Sequence, residues 1–282
     1  MKGDTSECIE LEERVFSIKK RFLGMYKQAH AGHIGSSLSC AEILTLLQFA
    51  WMREWDGFVL SKGHAVAALY STLAEANLLS PAQIDSYYRD GTQLPALPPV
   101  NTIPEIPFAT GSLGHGLSLS AGMALGARLN REERRFYCLT SDGELDEGST
   151  WEAALFIAHR KLTNLVWLID RNELQGIGRT EEVLALEPLG AKLRAFGFYV
   201  LTANGHDFRS LTAARDEATH VLSSSNAPVV IIAETVKGNG VGYMHDTVDS
   251  HYLPMTDAQY EQALRELARA HESRLASYRH AL

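Results

Sequence analysis

Two polar segments of this sequence carry residue types that bind metal ions. Asp142 and Gly143 follow the apolar, β-prone run 136–139, and Asn172 follows a second such run, 165–169. Each pattern predicts a strand that opens into a loop at its carboxyl end, where open α/β sheets hold ligands. Asp142 offers a carboxylate oxygen and Asn172 an amide oxygen, and Mg²⁺ binds oxygens of both kinds.

The spacing between the two segments narrows the kind of ligand. Asp142 and Asn172 lie roughly thirty positions apart, which is enough for one helix and one strand of a βαβ unit. Gly143 lets a ligand approach the backbone, and a helix predicted to begin near Gly148 would direct free N–H groups to the same place. Because Mg²⁺ usually shares its shell with phosphate oxygens, the pattern predicts a site for a metal-bridged diphosphate. Two ordinary strand-to-helix turns with polar tips are the alternative.

Strands and helices alternate along the chain, which indicates an α/β fold with a three-layer, doubly wound, mainly parallel sheet. Helices are predicted near 7–31, 39–52, 65–76, 120–129, 151–161, 187–195, 208–222 and 256–279, with a further capping box at 80–83. Strands are predicted at 58–61, 136–139, 165–169, 198–201 and 229–233, and 176–182 is predicted to be a polar loop. Neither a linker nor a repeat divides the sequence, so we expect residues 1–282 to form one domain.

Composition excludes several classes of protein. The chain has 282 residues, of which 45% are hydrophobic and 21% charged, as in an ordinary soluble protein. A net charge of −8 without a basic cluster argues against nucleic acid and against an anionic membrane as partners. No apolar run looks long enough to span a bilayer, and the three cysteines form no zinc or disulfide pattern. The polar, acidic start lacks the features of a signal peptide, so we expect a cytoplasmic protein.

Three further segments combine glycine with histidine. His33 lies in the turn 31–37, and His64 follows Gly63 after a short strand, so two Gly-His pairs each lead into a helix. The glycine-rich segment 110–118 precedes another helix, and the last predicted strand exits through a glycine-rich segment toward His251. A lone histidine in a turn is more often a solvated polar residue. The repeated pattern favours a ligand site instead.

These motifs, in this order, resemble the thiamine diphosphate enzymes and, among them, the transketolase family. The fingerprint of these enzymes is a Gly-Asp-Gly followed by an Asn-Asn pair, which here read Ser141-Asp142-Gly143 and Arg171-Asn172. The two Gly-His turns and a segment similar to Thr-Gly-Ser-Leu-Gly-Gln-Gly add to the resemblance, which runs from near residue 7 to near 270. It implies a thiamine diphosphate-binding fold and carbon–carbon bond cleavage next to a ketone carbonyl.

The resemblance also implies roles for individual residues. The metal, Mg²⁺ or in its place Ca²⁺ or Mn²⁺, would be held by Asp142, Asn172 and the backbone carbonyl of Leu174. The cofactor would be contacted by His64, Gly111, Ser112, Leu113, Asp142, Gly143, Glu144 and Asn172. The catalytic candidates are His33, His251, His115, which replaces the family's glutamine, and Glu147, which matches a glutamate at the dimer contact. Glu147 is equally explained as a carboxylate that favours the start of a helix.

Transketolases need a second, pyrimidine-binding domain, and no room for one follows residue 282. We therefore expect the N-terminal subunit of a split transketolase that acts with a C-terminal subunit in a heterotetramer. Its substrates would be a small ketone donor and a carbonyl acceptor. An alternative is a subunit of a decarboxylating 2-oxo acid carboligase or dehydrogenase, and another is a non-catalytic cofactor-binding partner.

One departure from the family bears on the donor. The family's Pro-Gly-His-Pro becomes Pro95-Ala96-Leu97-Pro98, so Leu97 stands where a histidine meets the donor hydroxyl beside the carbonyl. One explanation is a rearranged proline loop in which His115 or another group supplies this contact. The other is that the donor lacks that hydroxyl, or that transfer of an acyl rather than a ketol unit is favoured. Leu97 is therefore a candidate specificity residue.

Overall fold

Five parallel strands form one sheet in the computed structural model, which describes residues 5–280. They are β1 (Gly57–Leu60), β2 (Phe136–Ser141), β3 (Leu165–Arg171), β4 (Tyr199–Asn204) and β5 (Val229–Glu234), in the order β1-β2-β3-β5-β4. All carboxyl ends lie at the same edge because every pairing is parallel. Ser141 pairs with Asp170, so the polar loops after β2 and β3 begin side by side.

Eleven α-helices of the described residues connect or cover these strands. They are α1 (Thr5–Ala29), α2 (Ile34–Leu46), α3 (Val66–Glu75), α4 (Pro81–Asp85), α5 (Gly116–Leu129), α6 (Gly148–Arg160), α7 (Thr180–Val183), α8 (Leu189–Phe196), α9 (Phe208–Ser224), α10 (Asp249–Tyr252) and α11 (Asp257–Arg279). Capping boxes at Ser80 and Thr256 start α4 and α11, as predicted. The short helices α7 and α10 lie in segments that were not predicted to be helical.

The two faces of the sheet carry separate hydrophobic cores. Side chains alternate along each strand, so Tyr137 and Leu139 of β2 pack on one side while Phe136 and Cys138 pack on the other. Helices α1, α2, α3, α9 and α11 cover the first side, and α5, α6 and α8 cover the second. This confirms the predicted three-layer, doubly wound α/β fold.

Two helices begin earlier than the sequence indicated. Helix α2 starts at Ile34, directly after His33, whose N–H donates a hydrogen bond to the carbonyl of His251 across 2.8 Å. Helix α5 starts at Gly116, whose N–H donates to the hydroxyl of Ser61 across 3.0 Å. Both starts depend on partners far away in the sequence.

One expectation about apolar runs was wrong. The helical stretch Ile34–Trp51, which ends in a turn of π-helix, is long and apolar enough by length and composition to cross a membrane. It escaped notice because Ser, Thr and Glu residues interrupt it. In the folded chain 78% of the stretch is buried, since α2 packs against α1, α3 and α9.

Candidate active site

A cavity of about 670 Å³ opens at the carboxyl ends of β2, β3 and β5. Its volume is typical of a cofactor or substrate site. The residues that could bind a ligand here include His33, His64, Leu97, Asp142, Asn172, Leu174, Lys237 and His251, all of which line the cavity. The sequence predicted all of them except Lys237 as site residues. Gly111, Leu113 and Gly143 also line it, as predicted.

Asp142 begins the 3₁₀ turn Gly143–Asp146 directly after β2, and its side chain is 1% exposed. Its carboxylate accepts hydrogen bonds from the N–H groups of Gly143, at 2.8 Å, and Glu173, at 2.6 Å. Burial and the nearby charge of Asp170 raise the pKa of Asp142 to about 6. A cation beside this carboxylate would offset the cost of its buried charge.

The loop after β3 places Asn172 and Leu174 at the same cavity. The amide oxygen of Asn172 accepts a hydrogen bond from the N–H of Leu174 across 3.2 Å. Glu173 between them has a φ of 60°, and Leu174 forms an isolated antiparallel bridge with Arg179. Asn172 and Leu174 are each 5% exposed. The loop is thus held rigid at its metal-ligand candidates.

These oxygens fit a Mg²⁺ ion that shares its shell with a diphosphate. No group of three or more His, Cys, Asp and Glu side chains in residues 5–280 is arranged to hold a metal ion. The donor set at this edge is instead one carboxylate (Asp142), one amide oxygen (Asn172) and one backbone carbonyl (Leu174). Such a set leaves positions for phosphate oxygens, which Mg²⁺ commonly accepts.

Lys237 is the site residue that the sequence analysis missed. Its side chain is 2% exposed, and its ammonium group donates hydrogen bonds to the carbonyl oxygens of Leu174, at 2.9 Å, and Gln175, at 3.4 Å. Burial and the neighbouring Lys62 lower the pKa of Lys237 to about 8. The signal for it was present, since Lys237 follows the last buried strand just as Asp142 follows β2.

A buried ion pair supports the floor of the cavity. Lys62 and Asp170 are both fully buried and contact each other directly, and Ser39 and Thr235 donate to the same carboxylate. Burial opposes both charges, but each partner outweighs it, so the pKa of Asp170 is lowered and that of Lys62 is raised. The Gly-His turn at His64 therefore follows a charged, fixed lysine.

The imidazole rings of three histidines lie close together in the cavity. The ring centroids of His33 and His251 are 4.7 Å apart, and that of His64 lies 5.7 Å from His33 and 5.8 Å from His251. Burial, followed by Lys237, lowers the pKa of His33 and takes that of His251 to about 3, and burial together with Lys62 lowers that of His64 well below 6.5. All three are neutral near pH 7 and can accept or donate hydrogen bonds.

Two loop contacts fix this histidine group. The N–H of His33 donates to the carbonyl of His251 across 2.8 Å, which joins the start of α2 to α10. Tyr252 stacks edge-to-face on His251 at 4.7 Å, and its hydroxyl lies against Gly176, where an added Cβ would come within 2.6 Å. Short helix α10 is therefore the element that presents His251.

Four predicted site residues do not line the cavity. His115 is exposed, with its ring Nδ1 3.0 Å from the carbonyl of Ser112, which is also exposed. Glu144 is buried and accepts hydrogen bonds from Ser61 and from the N–H of Gly114. Glu147 is exposed at the start of α6, beside Gly114. Glu144 thus braces the glycine-rich loop, whereas His115 and Glu147 point to surroundings outside this chain's cavity.

Leu97 lies where the prediction required it. It lines the cavity, is 45% exposed, and packs on Gly111, where an added Cβ would come within 2.8 Å of the leucine side chain. Gly111 has a φ of 133°, a conformation that other residues rarely adopt. The proline loop thus packs against the glycine-rich segment, and Leu97 lines the cavity.

A buried carboxylate, amide and carbonyl beside a lysine, at the carboxyl edge of a doubly wound sheet, define a diphosphate-binding α/β protein. The family model described as transketolase, thiamine diphosphate binding domain, matches residues 13–274. The chain belongs to the transketolase family and is a transketolase-like transferase subunit. The resemblance expected from the sequence is confirmed.

Several relatives have nearly the same length as this chain. An apulose-4-phosphate transketolase subunit from Phocaeicola vulgatus is 39% identical over 93% of this chain and 94% of its own. The 6-deoxy-6-sulfo-D-fructose transketolase subunit SqwG of a Clostridium species is 35% identical, over 93% and 98% respectively.

Other relatives are longer. Human transketolase is 36% identical over 85% of this chain but only 39% of its own length. The crystal structure of transketolase from Campylobacter jejuni superposes with a TM-score of 0.83 at 26% identity, covering 95% of this chain and 46% of that one. This chain therefore spans less than half of these longer proteins.

Proposed function

We propose that this chain is the N-terminal, diphosphate-binding subunit of a two-component transketolase that depends on thiamine diphosphate and Mg²⁺. It would transfer a two-carbon unit from a ketone donor to a carbonyl acceptor. The observation that carries the proposal is the convergence of Asp142, Asn172, the Leu174 carbonyl and Lys237 in one cavity. Membership of the transketolase family supports it.

The residues divide between holding the diphosphate and serving the substrate. Asp142, Asn172 and the carbonyl of Leu174 would hold Mg²⁺, while Lys237 and the N–H groups near Gly143 and Gly111 would neutralise or bind the phosphates. When bound, thiamine diphosphate supplies a carbanion that attacks a ketone and stabilises the negative charge left by carbon–carbon cleavage. The protein's own part is to hold this group and to exclude water.

The three histidines suit proton transfer at the substrate. Because burial and the lysines keep His33, His64 and His251 neutral, each presents one nitrogen that accepts a proton or hydrogen bond and one that donates. His251 Nδ1 is buried without a hydrogen-bond partner among residues 5–280. A substrate hydroxyl or carbonyl would satisfy this atom, so we assign His251 and His33 to the substrate side and His64 to the cofactor side.

A partner chain would complete the site. The relatives of nearly equal length are named as subunits, and the longer transketolases contain about twice as much chain. We propose a C-terminal, pyrimidine-binding partner and a heterotetramer of two chains of each kind, with the cofactor at their interface. Glu147 is exposed beside Gly148, which has open space around it, as expected at such an interface.

The side chain of Leu97 bears on the identity of the donor substrate. Leu97 presents an apolar side chain where the family has a histidine, so we propose a donor with a methyl or other modified group beside its carbonyl. The same observation keeps a second candidate, a carboligase that decarboxylates pyruvate or another 2-oxo acid. The names of the relatives, which are transketolases for apulose 4-phosphate and for 6-deoxy-6-sulfo-D-fructose, favour the first.

Reconstitution tests this function. The chain would be purified alone, and again after co-expression with a transketolase-type C-terminal subunit encoded beside it. Donor cleavage would then be followed with thiamine diphosphate and Mg²⁺, using ketose phosphates and pyruvate as donors. We expect turnover only from the complex, which should have the mass of two chains of each kind. Full turnover by the single chain contradicts the two-component proposal. If the complex cleaves pyruvate but no ketose phosphate, the second candidate is selected.

A further inference from the structure

His206 lies behind the cavity, in the turn between β4 and α9, and does not line it. Its ring Nε2 accepts a hydrogen bond from the N–H of Val236 across 2.8 Å. Because Nε2 is the acceptor, a neutral ring carries its proton on Nδ1. The tautomer of His206 is therefore set by a backbone amide next to Lys237.

A buried carboxylate faces the other ring nitrogen. Nδ1 of His206 lies 3.4 Å from Oε2 of Glu42, close enough for a charge contact, and neither atom makes a hydrogen bond within the described part of the chain. Glu42 is fully buried on α2 and is paired with Lys19 at 2.7 Å and Arg274 at 2.9 Å. Burial opposes the charge of Glu42, but Lys19 and His206 outweigh it, so its pKa lies well below 4.5. A fixed negative charge thus orients the ring.

The Val236 N–H, from which His206 accepts this hydrogen bond, has no partner in the sheet. Strand β5 ends at Glu234, two residues before Val236. The turn that carries His206 is packed tightly on this exit, since the N–H of Gly205 donates to Glu234 at 2.7 Å and an added Cβ on Gly205 would lie 2.3 Å from Thr235. His206 therefore continues the ladder by one hydrogen bond beyond the strand.

Lys237 is the residue after Val236, and its side chain donates a hydrogen bond to the carbonyl of Leu174. Its own carbonyl accepts from Asp246, and Gly238 donates to Gly35. The Val236 N–H belongs to the peptide that joins Thr235 to Val236, so its displacement would shift the backbone one residue before Lys237 and, with it, the lysine side chain. The position of the ammonium group is thus coupled to the ring of His206.

We propose that His206, oriented by Glu42, is a positioning residue that places Lys237 for an anionic diphosphate. This inference rests on the proposed function for the identity of the ligand. It assigns His206 no contact with the cofactor or the substrate.

Two substitutions distinguish the contribution of Nε2 of His206 from that of Nδ1. In His206→Gln the longer side chain places an acceptor oxygen near the position of Nε2, whereas in His206→Asn the shorter one reaches only the position of Nδ1. Each is compared with His220→Asn, which changes an exposed histidine on α9. Calorimetry of thiamine diphosphate with Mg²⁺ is performed on each complex with the partner chain.

We expect His206→Asn to weaken cofactor binding about tenfold, with His206→Gln and His220→Asn within about twofold of the wild type. In a Lys237→Met background, His206→Asn should weaken binding no further. A purely structural role would instead lower affinity and unfolding temperature together in both backgrounds. Equal losses in the Asn and Gln variants, or no loss in either, would overturn the inference. If the wild type itself binds no thiamine diphosphate, the proposed function fails instead.

Hydrogen exchange gives a measurement that needs neither cofactor nor substitution. The Val236 amide of the wild-type chain should exchange as slowly as amides within β5, because His206 protects it. It should exchange rapidly in His206→Asn and slowly in His206→Gln. Rapid exchange at Val236 in the wild type contradicts the inference even where the Asn variant does not fold.

Discussion

The ammonium group of Lys237 donates a 2.9 Å hydrogen bond to the carbonyl oxygen of Leu174. That oxygen is the backbone ligand which the family resemblance assigns to the metal. A basic group therefore already lies at the point where the proposed site needs a positive charge. The two residues lie in the loops that follow β3 and β5, which are neighbours in the sheet.

The first prediction concerns this lysine. Lys237→Met keeps the buried stem but removes the charge, so a diphosphate loses one charge-assisted hydrogen bond. We expect affinity for thiamine diphosphate with Mg²⁺ to fall roughly ten- to a hundredfold in calorimetry of the complex. Lys20→Met, at an exposed position of α1, should leave it unchanged. An unaltered affinity in Lys237→Met would remove the residue from the site.

The second prediction separates the two side-chain metal ligands. Asp142→Ala should abolish cofactor-dependent activity, whereas Asn172→Ala should only weaken it, because the carboxylate carries a formal charge and the amide does not. Asp85→Ala changes an exposed carboxylate on α4 and serves as the control. Titration of the cofactor with Mg²⁺ into each complex reports the effect. Normal binding by Asp142→Ala would refute the metal site.

Many residues of this site could be predicted from the sequence because they lie directly after the ends of strands. Asp142 and Asn172 each stand directly after a run of buried, β-prone residues, so their placement needed only the local pattern and the rule for parallel sheets. The position of Lys237 needed the strand order. Strand β5 lies between β3 and β4, an arrangement set by nonlocal packing that spacing along the chain does not encode.

Contacts distant in the sequence also explain features that the sequence pattern did not predict. The early start of α2 follows a hydrogen bond from the N–H of His33, the residue before the helix, to the carbonyl of His251. His115 was a catalytic candidate by motif, yet it stands at the exposed start of α5 because the buried Gly116 amide takes Ser61 as its partner. The motif predicted a site residue at position 115, but the placement of its side chain depends on Ser61, which follows β1.

The third prediction concerns stability and pH. The pKa values of His33, His64 and His251 are lowered in the folded chain, so the unfolded chain binds more protons once the pH falls below about 6.5. The stability contributed by these neutral histidines is therefore present above that pH and is lost as the pH falls through it. Urea unfolding at pH 7.5 and pH 5.5 should show lower stability at pH 5.5.

The variant His251→Phe tests the source of this effect. It removes a group whose pKa is about 3 in the folded chain and should reduce the stability difference between the two pH values. His220→Asn, at an exposed position, should leave the difference as in the wild type. A pH dependence that His251→Phe does not reduce would show that other groups cause it.

The fourth prediction concerns Leu97. A buried donor hydroxyl without a partner costs about 1–3 kcal/mol, so a hydroxyketose should be penalised by roughly ten- to a hundredfold. Leu97→His should shift preference back toward xylulose 5-phosphate and away from pyruvate, measured as kcat/KM for both donors. Leu129→His, on the surface of α5, is the matched control. Efficient xylulose 5-phosphate turnover by the wild type, unimproved by the histidine, would show that Leu97 does not govern the donor.

The central claim is that the cavity binds a metal-bridged diphosphate, and calorimetry of the assembled complex tests it most directly. Thiamine diphosphate and thiamine would each be titrated with Mg²⁺ and with a chelator. We predict saturable binding of one cofactor per chain that requires both the diphosphate and the metal. Equal affinity for thiamine, or unchanged binding of thiamine diphosphate in the chelator, would contradict the account.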